Sequence, residues 1–122
     1  MRIGEVADLC GVSVRLLRYY EQQGLLHPSR DANGYRRYET VHIEQVREIR
    51  GMLAAGFTTG EIREFVPCLA SSLAHEPCEE GLRMHLKKLQ EIDHLIQTLE
   101  RRRARLLHRF QRFDIAPEEI TD

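Results

Sequence analysis

Four polar side chains near the start of the chain recur at the spacing of one helix face and could bind a nucleic acid. They are Arg15, Arg18, Tyr19 and Gln22, at positions i, i+3, i+4 and i+7. A guanidinium group can bond a guanine edge through two hydrogen bonds or grip a phosphate. An isolated arginine pair of this spacing is usually a solvated helix face. We favour the binding interpretation because a turn precedes this face and a basic hairpin follows it.

A second basic element follows within a few residues. Asn33-Gly34 is a two-residue hairpin signal. Basic and aromatic residues surround it: Arg30, Tyr35, Arg36, Arg37 and Tyr38. Because successive strand residues point to opposite faces, these side chains cannot all play the same part. In one interpretation the tyrosines pack on the core beneath a surface turn; we instead expect Arg36, Arg37 and Tyr38 to contact a DNA backbone or minor groove.

Two short amphipathic helices must position the first basic face. The first helix stops at Gly11, and its apolar residues share one side: Ile3, Val6, Ala7 and Cys10. Ser13 can cap the second helix, and Gly24 ends it. The inner face of the second helix consists of Leu16, Leu17 and Tyr20. The two helices, joined through Gly11-Val12, form a helix-turn-helix pattern.

Two further helices follow the hairpin. Thr40 can cap the first of them, whose inward residues are Ile43, Val46, Ile49 and Leu53. Thr58 and Glu61 have the spacing of a capping box and open the next. That helix carries Ile62, Phe65 and Val66 on one face, and Pro67 should end or bend it. Residues 67–77 contain two prolines and no clean period, which predicts a connector with at most a helical turn.

The C-terminal third predicts one long helix. Residues 78–113 lack proline and carry apolar residues three or four positions apart, with an irregular step between Leu89 and Ile92 and with Arg103 in the stripe. A single helix of this length cannot cover its own apolar face. Pairing with the same helix of a second copy is the most direct solution. The acidic tail, residues 114–122, contains Pro117 and should be frayed or loosely packed.

Composition sets outer limits on the class of protein. A chain of 122 residues supports one compact domain and an appended element. The net charge of −1 means that any nucleic-acid surface must come from local placement of arginines. We expect no membrane insertion and, because the first residues lack a signal-peptide core, a cytoplasmic protein. Three cysteines do not suggest a disulfide framework.

Three stretches closely resemble the N-terminal domain of MerR-family regulators. They are IGEVADLCGVSVRLLRYYEQQGLL, NGYRRY and LAAGFTTGEIREF, in the order and spacing of that family. The resemblance covers residues 1–66 specifically and is weaker through the long helix. It implies a homodimer, held by an antiparallel pair of C-terminal helices on a palindromic promoter. It also implies that the dimer distorts an over-long promoter spacer so that RNA polymerase engages it when an effector is bound.

The effector is the open question, and two thiols are the candidates for sensing it. Cys78 resembles the first cysteine of metal-sensing relatives, but the downstream cysteines of their metal loop are missing. Cys68 and Cys78 could form a reversible disulfide, or they could share a metal ion such as zinc with His75 or His85. Cys68 could equally be an apolar filler and Cys78 an ordinary surface thiol. A small organic effector is the remaining alternative.

These patterns together predict a mainly α protein. A winged helix-turn-helix domain (1–70) leads through a connector (71–77) to a dimerisation helix (78–113) and a tail (114–122). The candidate DNA contacts are Ser13, Arg15, Arg18, Tyr19, Tyr20, Arg36, Arg37 and Tyr38. No nucleophile–base arrangement or phosphate loop indicates an enzyme. A module that binds another protein, rather than DNA, is the competing class.

Overall fold

The computed structural model describes residues 1–121 and confirms a mainly helical fold. The elements are α1 (Ile3–Cys10), α2 (Val14–Gln22), β1 (Ser29–Arg30), β2 (Arg36–Arg37), α3 (Thr40–Ala54), α4 (Thr59–Phe65), α5 (Leu69–Leu73) and α6 (Glu79–Arg112). Short 3-10 turns occupy Val66–Cys68 and Pro117–Glu119. The chain divides into two compact units, Met1–Arg83 and a second from Met84 onward.

The turn between α1 and α2 follows from two local signals. Gly11 adopts φ 66° and ψ 33°, a left-handed conformation that ends α1 and that glycine reaches without a Cβ penalty. Ser13 Oγ then accepts a hydrogen bond from the Leu16 backbone nitrogen at 3.1 Å and caps α2. The predicted helix-turn-helix is therefore present, with the predicted cap.

The hairpin is antiparallel and very short. Ser29 pairs with Arg37, and Arg30 pairs with Arg36. The start of the chain extends this pairing, because the Tyr38 backbone nitrogen donates to the Met1 carbonyl oxygen and the Met1 amino nitrogen donates to the Tyr38 carbonyl oxygen, both at 2.8 Å. This hairpin, residues 29–37, is the wing of the predicted fold. The two hydrogen bonds connect the wing to the segment that precedes α1.

The cap of α3 differs from the one expected. Glu39, not Thr40, is the N-cap residue, and its backbone nitrogen donates to His42 Nδ1 at 2.8 Å. His42 is buried, and its Nε2 lies 3.2 Å from the His27 carbonyl oxygen. A nitrogen of the histidine ring therefore replaces the carboxylate or amide of an ordinary capping box, which is why the usual Ser/Thr signal at Thr40 misplaced the cap by one residue.

The capping box of α4 is formed as predicted. Thr58 Oγ1 accepts from the Glu61 backbone nitrogen at 3.1 Å, and Glu61 Oε1 accepts from the Thr58 nitrogen at 2.9 Å. As predicted, α4 ends just before Pro67, at Phe65, and Pro67 lies inside a 3-10 turn that leads directly into α5. Proline is tolerated there because the first residues of a helical turn need no backbone donor.

The core lies among α1 to α5 and the loops between them. Its fully buried members include Val6, Leu17, Tyr20, Leu25, Leu26, Tyr38, Val46, Ile49 and Ile62. Cys10, expected in the core, is only half-buried. The first turn of α6 joins this core at Gly81, where a Cβ atom would lie 2.7 Å from Phe65 Cε2. Only glycine allows that approach.

Beyond Gly81 most of the apolar side chains of α6 are exposed. The exposed ones include Leu82, Leu86, Leu89, Ile92, Leu95, Ile96, Leu99 and Leu106. A helix of 34 residues extends about 51 Å at 1.5 Å per residue. None of the helices in residues 1–121 combines the length and apolar content that a bilayer crossing requires.

Candidate nucleic-acid interface

One face of α2 is polar and accessible while the opposite face is in the core. Arg15, Arg18 and Gln22 are exposed, and Tyr19 is 43% exposed. Leu17 and Tyr20 on the other side are buried. The structure therefore corrects Tyr20 as a DNA contact: a tyrosine with 2% exposure belongs to the packing that fixes α2, and it has almost no surface to offer.

The turn of the wing is held by side chains of the wing itself. Asp31 Oδ1 accepts hydrogen bonds from the backbone nitrogens of Asn33 at 2.9 Å and Tyr35 at 3.0 Å. Arg30 Nη1 donates to the Gly34 carbonyl oxygen at 3.1 Å. Gly34 has φ 83°, which favours glycine at the tip. The hairpin therefore has a defined shape before any ligand arrives.

Tyr38, also expected to contact DNA, is buried at the base of the wing. It is 1% exposed, and its ring contacts the His42 ring edge to face at a centroid distance of 5.6 Å. Its hydroxyl is a buried polar atom without a hydrogen-bond partner among the described residues. Burial, together with the nearby Glu21 carboxylate, raises the pKa of Tyr38, so the phenol stays neutral. The structure thus assigns Tyr38 to the core.

Glu21, which sequence reasoning missed, holds the wing against α2 through its carboxylate. Glu21 Oε2 accepts a hydrogen bond from Arg36 Nε at 2.5 Å, and Glu21 Oε1 lies 3.6 Å from Arg30 Nη2. Arg30 on β1 and Arg36 on β2 therefore contact the same side chain of α2. The available signal was the position of Glu21 three residues after Arg18 on an otherwise basic helix.

The remaining predicted contacts are at or near the surface. Arg37 Nε lies 3.5 Å from Asp31 Oδ2, and half of its side chain is exposed. Ser13 is exposed but already uses its oxygen to cap α2. Arg18 and Arg36 line one small cavity, while Arg15 lies at the start of α2.

Arg63 on α4 is a second residue that sequence reasoning missed. Its Nε donates to the Gln23 carbonyl oxygen at 2.6 Å, and its Nη2 donates to Gln23 Oε1 at 3.0 Å. Gln23 is the C-cap of α2. A guanidinium suits this place because it can satisfy a free carbonyl at a helix C-terminus and complements the negative end of the helix dipole. Arg63 therefore fixes the end of α2 relative to α4.

The two candidate sensing thiols are joined. Cys68 and Cys78 form a disulfide with a Cα–Cα distance of 5.8 Å. Cys68 is buried, and Cys78 immediately precedes α6. His75 is exposed, with φ 57°, and within residues 1–121 no group of three or more His, Cys, Asp or Glu side chains is arranged to hold a metal ion.

A helix-turn-helix with an exposed basic face and an adjoining basic wing defines a DNA-binding protein. Comparison with known proteins agrees. The family model "MerR HTH family regulatory protein" matches residues 1–67, and the model "MerR, DNA binding" matches residues 43–109.

Individual relatives extend along most of the chain. The mercuric resistance operon regulatory protein of Bacillus cereus is 35% identical over 101 residues, which are 82% of this chain and 75% of that protein. The regulator CueR of Yersinia pestis is 35% identical over 111 residues, 88% of this chain and 76% of that protein. The crystal structure of PbrR691 from Ralstonia metallidurans, in complex with lead(II), is similar with a TM-score of 0.70 and 28% identity, covering 92% and 85% of the two chains.

The protein therefore belongs to the MerR family of helix-turn-helix regulators. It is a DNA-binding transcriptional regulator and not an enzyme.

The Glu21–Arg36 contact should carry measurable coupling energy. We expect a double-mutant cycle of Glu21→Gln and Arg36→Gln to give about 1 kcal/mol in the free energy of unfolding, because both side chains are partly buried. Urea unfolding of the four proteins measures it. The exposed Glu79–Arg83 pair on α6, treated identically, is the control and should give less than about 0.5 kcal/mol. A coupling no larger than the control would contradict the role given to Glu21.

Proposed function

We propose that this regulator binds a palindromic promoter as a homodimer, with α2 in the major groove and the wing on the adjacent backbone. The observation that carries the proposal is the exposed basic face of α2 beside a wing fixed to the same helix by Glu21. Two elements held at one spacing can engage a groove and its flanking phosphates together.

The contacts divide by position along α2. Residues near the N-terminal end of a recognition helix reach base edges, which favours Arg15, with Arg18 and Tyr19 following. Arg15 is exposed and forms no ion pair with a described carboxylate, so its donors are available. We assign Ser13, Arg36 and Arg37 to phosphate contacts, since Ser13 precedes α2 and the two arginines lie on the wing. The interface of this protein then combines sequence reading on α2 with positioning by the wing.

Arg15→Ala and Arg37→Ala should affect binding differently. We expect Arg15→Ala to weaken binding to a mapped operator by about 1–3 kcal/mol and to change binding to unrelated DNA little. Arg37→Ala should weaken both kinds of binding by similar factors, since phosphates carry no sequence information. Fluorescence anisotropy with operator and scrambled duplexes at several salt concentrations measures this. Equal specificity ratios for Arg15→Ala and the parent protein would rule out base reading by Arg15.

The uncovered face of α6 supports the proposed dimer. Eight of its leucines and isoleucines are 38% to 60% exposed, and an apolar stripe of that length marks an interaction surface. The occupant we propose is α6 of a second copy, because the stripe has the spacing of helix-to-helix packing along nearly its whole length. Two-fold pairing also matches the two half-sites of a palindrome.

Charge along α6 favours an antiparallel pair. The charges of residues 79–93 nearly balance, with Glu79, Glu80, Glu91 and Asp93 against Arg83, Lys87 and Lys88. The end is strongly basic, with Arg101, Arg102, Arg103, Arg105, Arg109 and Arg112. A parallel pair would set the two arginine-rich ends side by side. An antiparallel pair sets each of them against the more acidic start of the partner helix, which lowers the electrostatic energy.

Leu89→Glu should convert the dimer into a monomer. A charge in the middle of the apolar stripe would be buried without a partner, which is strongly unfavourable. Sedimentation velocity measures the mass. Gln90→Glu, which adds the same charge beside the stripe, is the matched control and should remain dimeric. Spin labels at residue 87 then report direction: the two labels lie far apart in an antiparallel pair and close together in a parallel one. Short label distances would overturn the antiparallel arrangement.

Regulation is proposed to act through the shape of the DNA. Family resemblance implies that the dimer bends and untwists a promoter so that RNA polymerase can use it. The energy of such a deformation depends on the sequence deformed, which adds specificity at positions the protein does not touch. We propose that the protein regulates transcription in the cytoplasm.

We further propose that the Cys68–Cys78 pair senses thiol redox state. The observation that supports this is the disulfide itself, which links the turn after α4 to the residue before α6. Oxidation by a peroxide would form the S–S bond, with two thiol protons and two electrons reducing the peroxide to water and alcohol or to two waters. A disulfide typically stabilises the folded state by about 2–4 kcal/mol, mainly by constraining the unfolded chain. In the folded protein the bond also links the residue before α6 to the buried Cys68, so its state changes how the start of α6 is held.

Metal sensing is the alternative that the sequence also raised, and relatives are named for mercury resistance or were solved with lead. In the oxidised pair the two thiols are bonded to each other, and among the described residues no group of three or more His, Cys, Asp or Glu side chains is arranged to hold a metal ion. Thiol redox sensing is therefore the function that we propose for this pair.

Redox response should require both thiols. With the parent protein, operator affinity or transcription in vitro should change by roughly fivefold or more between dithiothreitol-reduced and peroxide-oxidised samples, a coupling typical of allosteric regulators. A Cys68→Ser, Cys78→Ser variant should not respond. Cys10→Ser is the control and should respond like the parent, because burial raises the pKa of Cys10 and keeps its thiol protonated and unreactive. A response that persists in the double variant would refute sensing by this pair.

A further inference from the structure

The two cysteines of the disulfide differ in how easily solvent reaches them. Cys68 is 4% exposed and leads directly into α5. Its Cβ lies 3.7 Å from the place that a Cβ would take at Gly81, so the start of α6 packs over it. Cys78 is only half-buried, and its neighbours Pro77 and Glu79 are exposed. A small molecule that arrives from solvent therefore meets Cys78 first.

Cys78 also lies where α6 begins. Its carbonyl oxygen accepts a hydrogen bond from the Leu82 backbone nitrogen at 2.9 Å, which opens the helix. The backbone N–H groups of the first turn have no acceptor within the helix, and a helix of 34 residues places a partial positive charge at this end. Both effects favour a thiolate, which is the form of cysteine that attacks an oxidant.

Two carboxylates in the first turn of α6 act in the opposite direction. They belong to Glu79 and Glu80, and both residues are exposed. Glu79 Oε1 accepts a hydrogen bond from Arg83 Nη2 at 2.5 Å, so a guanidinium offsets the charge that is next to Cys78 in the chain. Salt screens the remaining charge of Glu80. The unequal burial of the two cysteines, which these charges do not change, then decides which sulfur reacts.

We propose that Cys78 is the residue that a hydroperoxide oxidises first, and that Cys68 then closes the disulfide. This inference rests on the proposed redox function and assigns its oxidation site. In the first step the Cys78 thiolate attacks one peroxide oxygen, an S–O bond forms and the O–O bond breaks. The sulfur becomes a sulfenic acid, and the other oxygen leaves as water or an alcohol with the proton that the thiol released.

The second step needs a nearby thiol that the peroxide has not consumed. The Cys68 sulfur attacks the Cys78 sulfur, the S–S bond forms and the S–O bond breaks. The hydroxyl group leaves as water with the proton of the Cys68 thiol. The two Cα atoms are 5.8 Å apart, within the usual range for a disulfide, so closure fits the folded backbone. Burial thus keeps Cys68 away from the oxidant and available to Cys78.

Alkylation of the reduced parent protein tests this order without any substitution. A brief treatment with a small amount of iodoacetamide labels each cysteine in proportion to its reactivity, and peptide mass spectrometry gives the extent at each position. We expect Cys78 to react roughly tenfold faster than Cys68, since access and thiolate character control thiol reactivity. In urea-unfolded protein, which is the control, the two rates should be similar. Equal rates in the folded protein, or a faster reaction at Cys68, would overturn the assignment.

Trapping of the sulfenic acid tests the oxidation step itself. Cys68→Ser removes the thiol that would close the disulfide, so hydrogen peroxide followed by dimedone should label Cys78 nearly completely. Cys78→Ser is the matched variant and should be labelled at Cys68 about tenfold more slowly. Both variants also carry Cys10→Ser, so that one thiol remains in each, and circular dichroism shows that they are folded.

The outcomes separate the oxidation site from the redox function. If peroxide changes operator binding by the parent but dimedone labels Cys68 as fast as Cys78, the site is wrong while redox sensing by the pair stands. If Cys78 is labelled first but operator binding and transcription do not respond to peroxide, the site stands and redox sensing by the pair is wrong.

Discussion

The Glu21 carboxylate holds both strands of a hairpin that is too short to hold its own position. Two paired residues in each strand cannot make an independently stable sheet. The wing is fixed instead from outside, by Arg30 and Arg36 on Glu21 and by burial of Tyr38 beneath it. An acidic side chain on the recognition helix opposes DNA phosphates, so its presence is explained by positioning. Glu21 lowers the attraction of α2 for DNA phosphates but fixes the distance between α2 and the wing.

Features set by neighbouring residues in the chain could be predicted from the sequence. The Gly11 stop, the Ser13 cap and the Thr58–Glu61 capping box each depend on backbone groups within four residues, and each is present. The helical spacing of the apolar residues likewise predicted which side of α2 is buried. These signals are local, so a sequence contains all that is needed to read them.

Features set by contacts between distant segments could not be predicted. The alternation around Asn33-Gly34 shows that Tyr35 and Tyr38 differ, but only the packing against His42 decides that Tyr38 is the buried one. The cap of α3 uses a histidine ring that also contacts the His27 carbonyl, which no capping pattern describes.

The same long-range contacts give the thiol pair a short physical route to the recognition helix. Cys68 follows α4 by one 3-10 turn, and Arg63 on α4 holds the last carbonyl of α2. On the other side of Cys68, Ser72 Oγ donates to Glu48 Oε1 on α3 at 3.1 Å. A change in the position of Cys68 therefore acts on α4, which Arg63 links to α2. It also acts on α5, which Ser72 links to α3. For coupling to follow, α4 must have two arrangements of similar energy, one for each state of the disulfide. The close approach of Gly81 to Phe65 brings the start of α6 against the last residue of α4, so a displacement of that start would reach α4 directly.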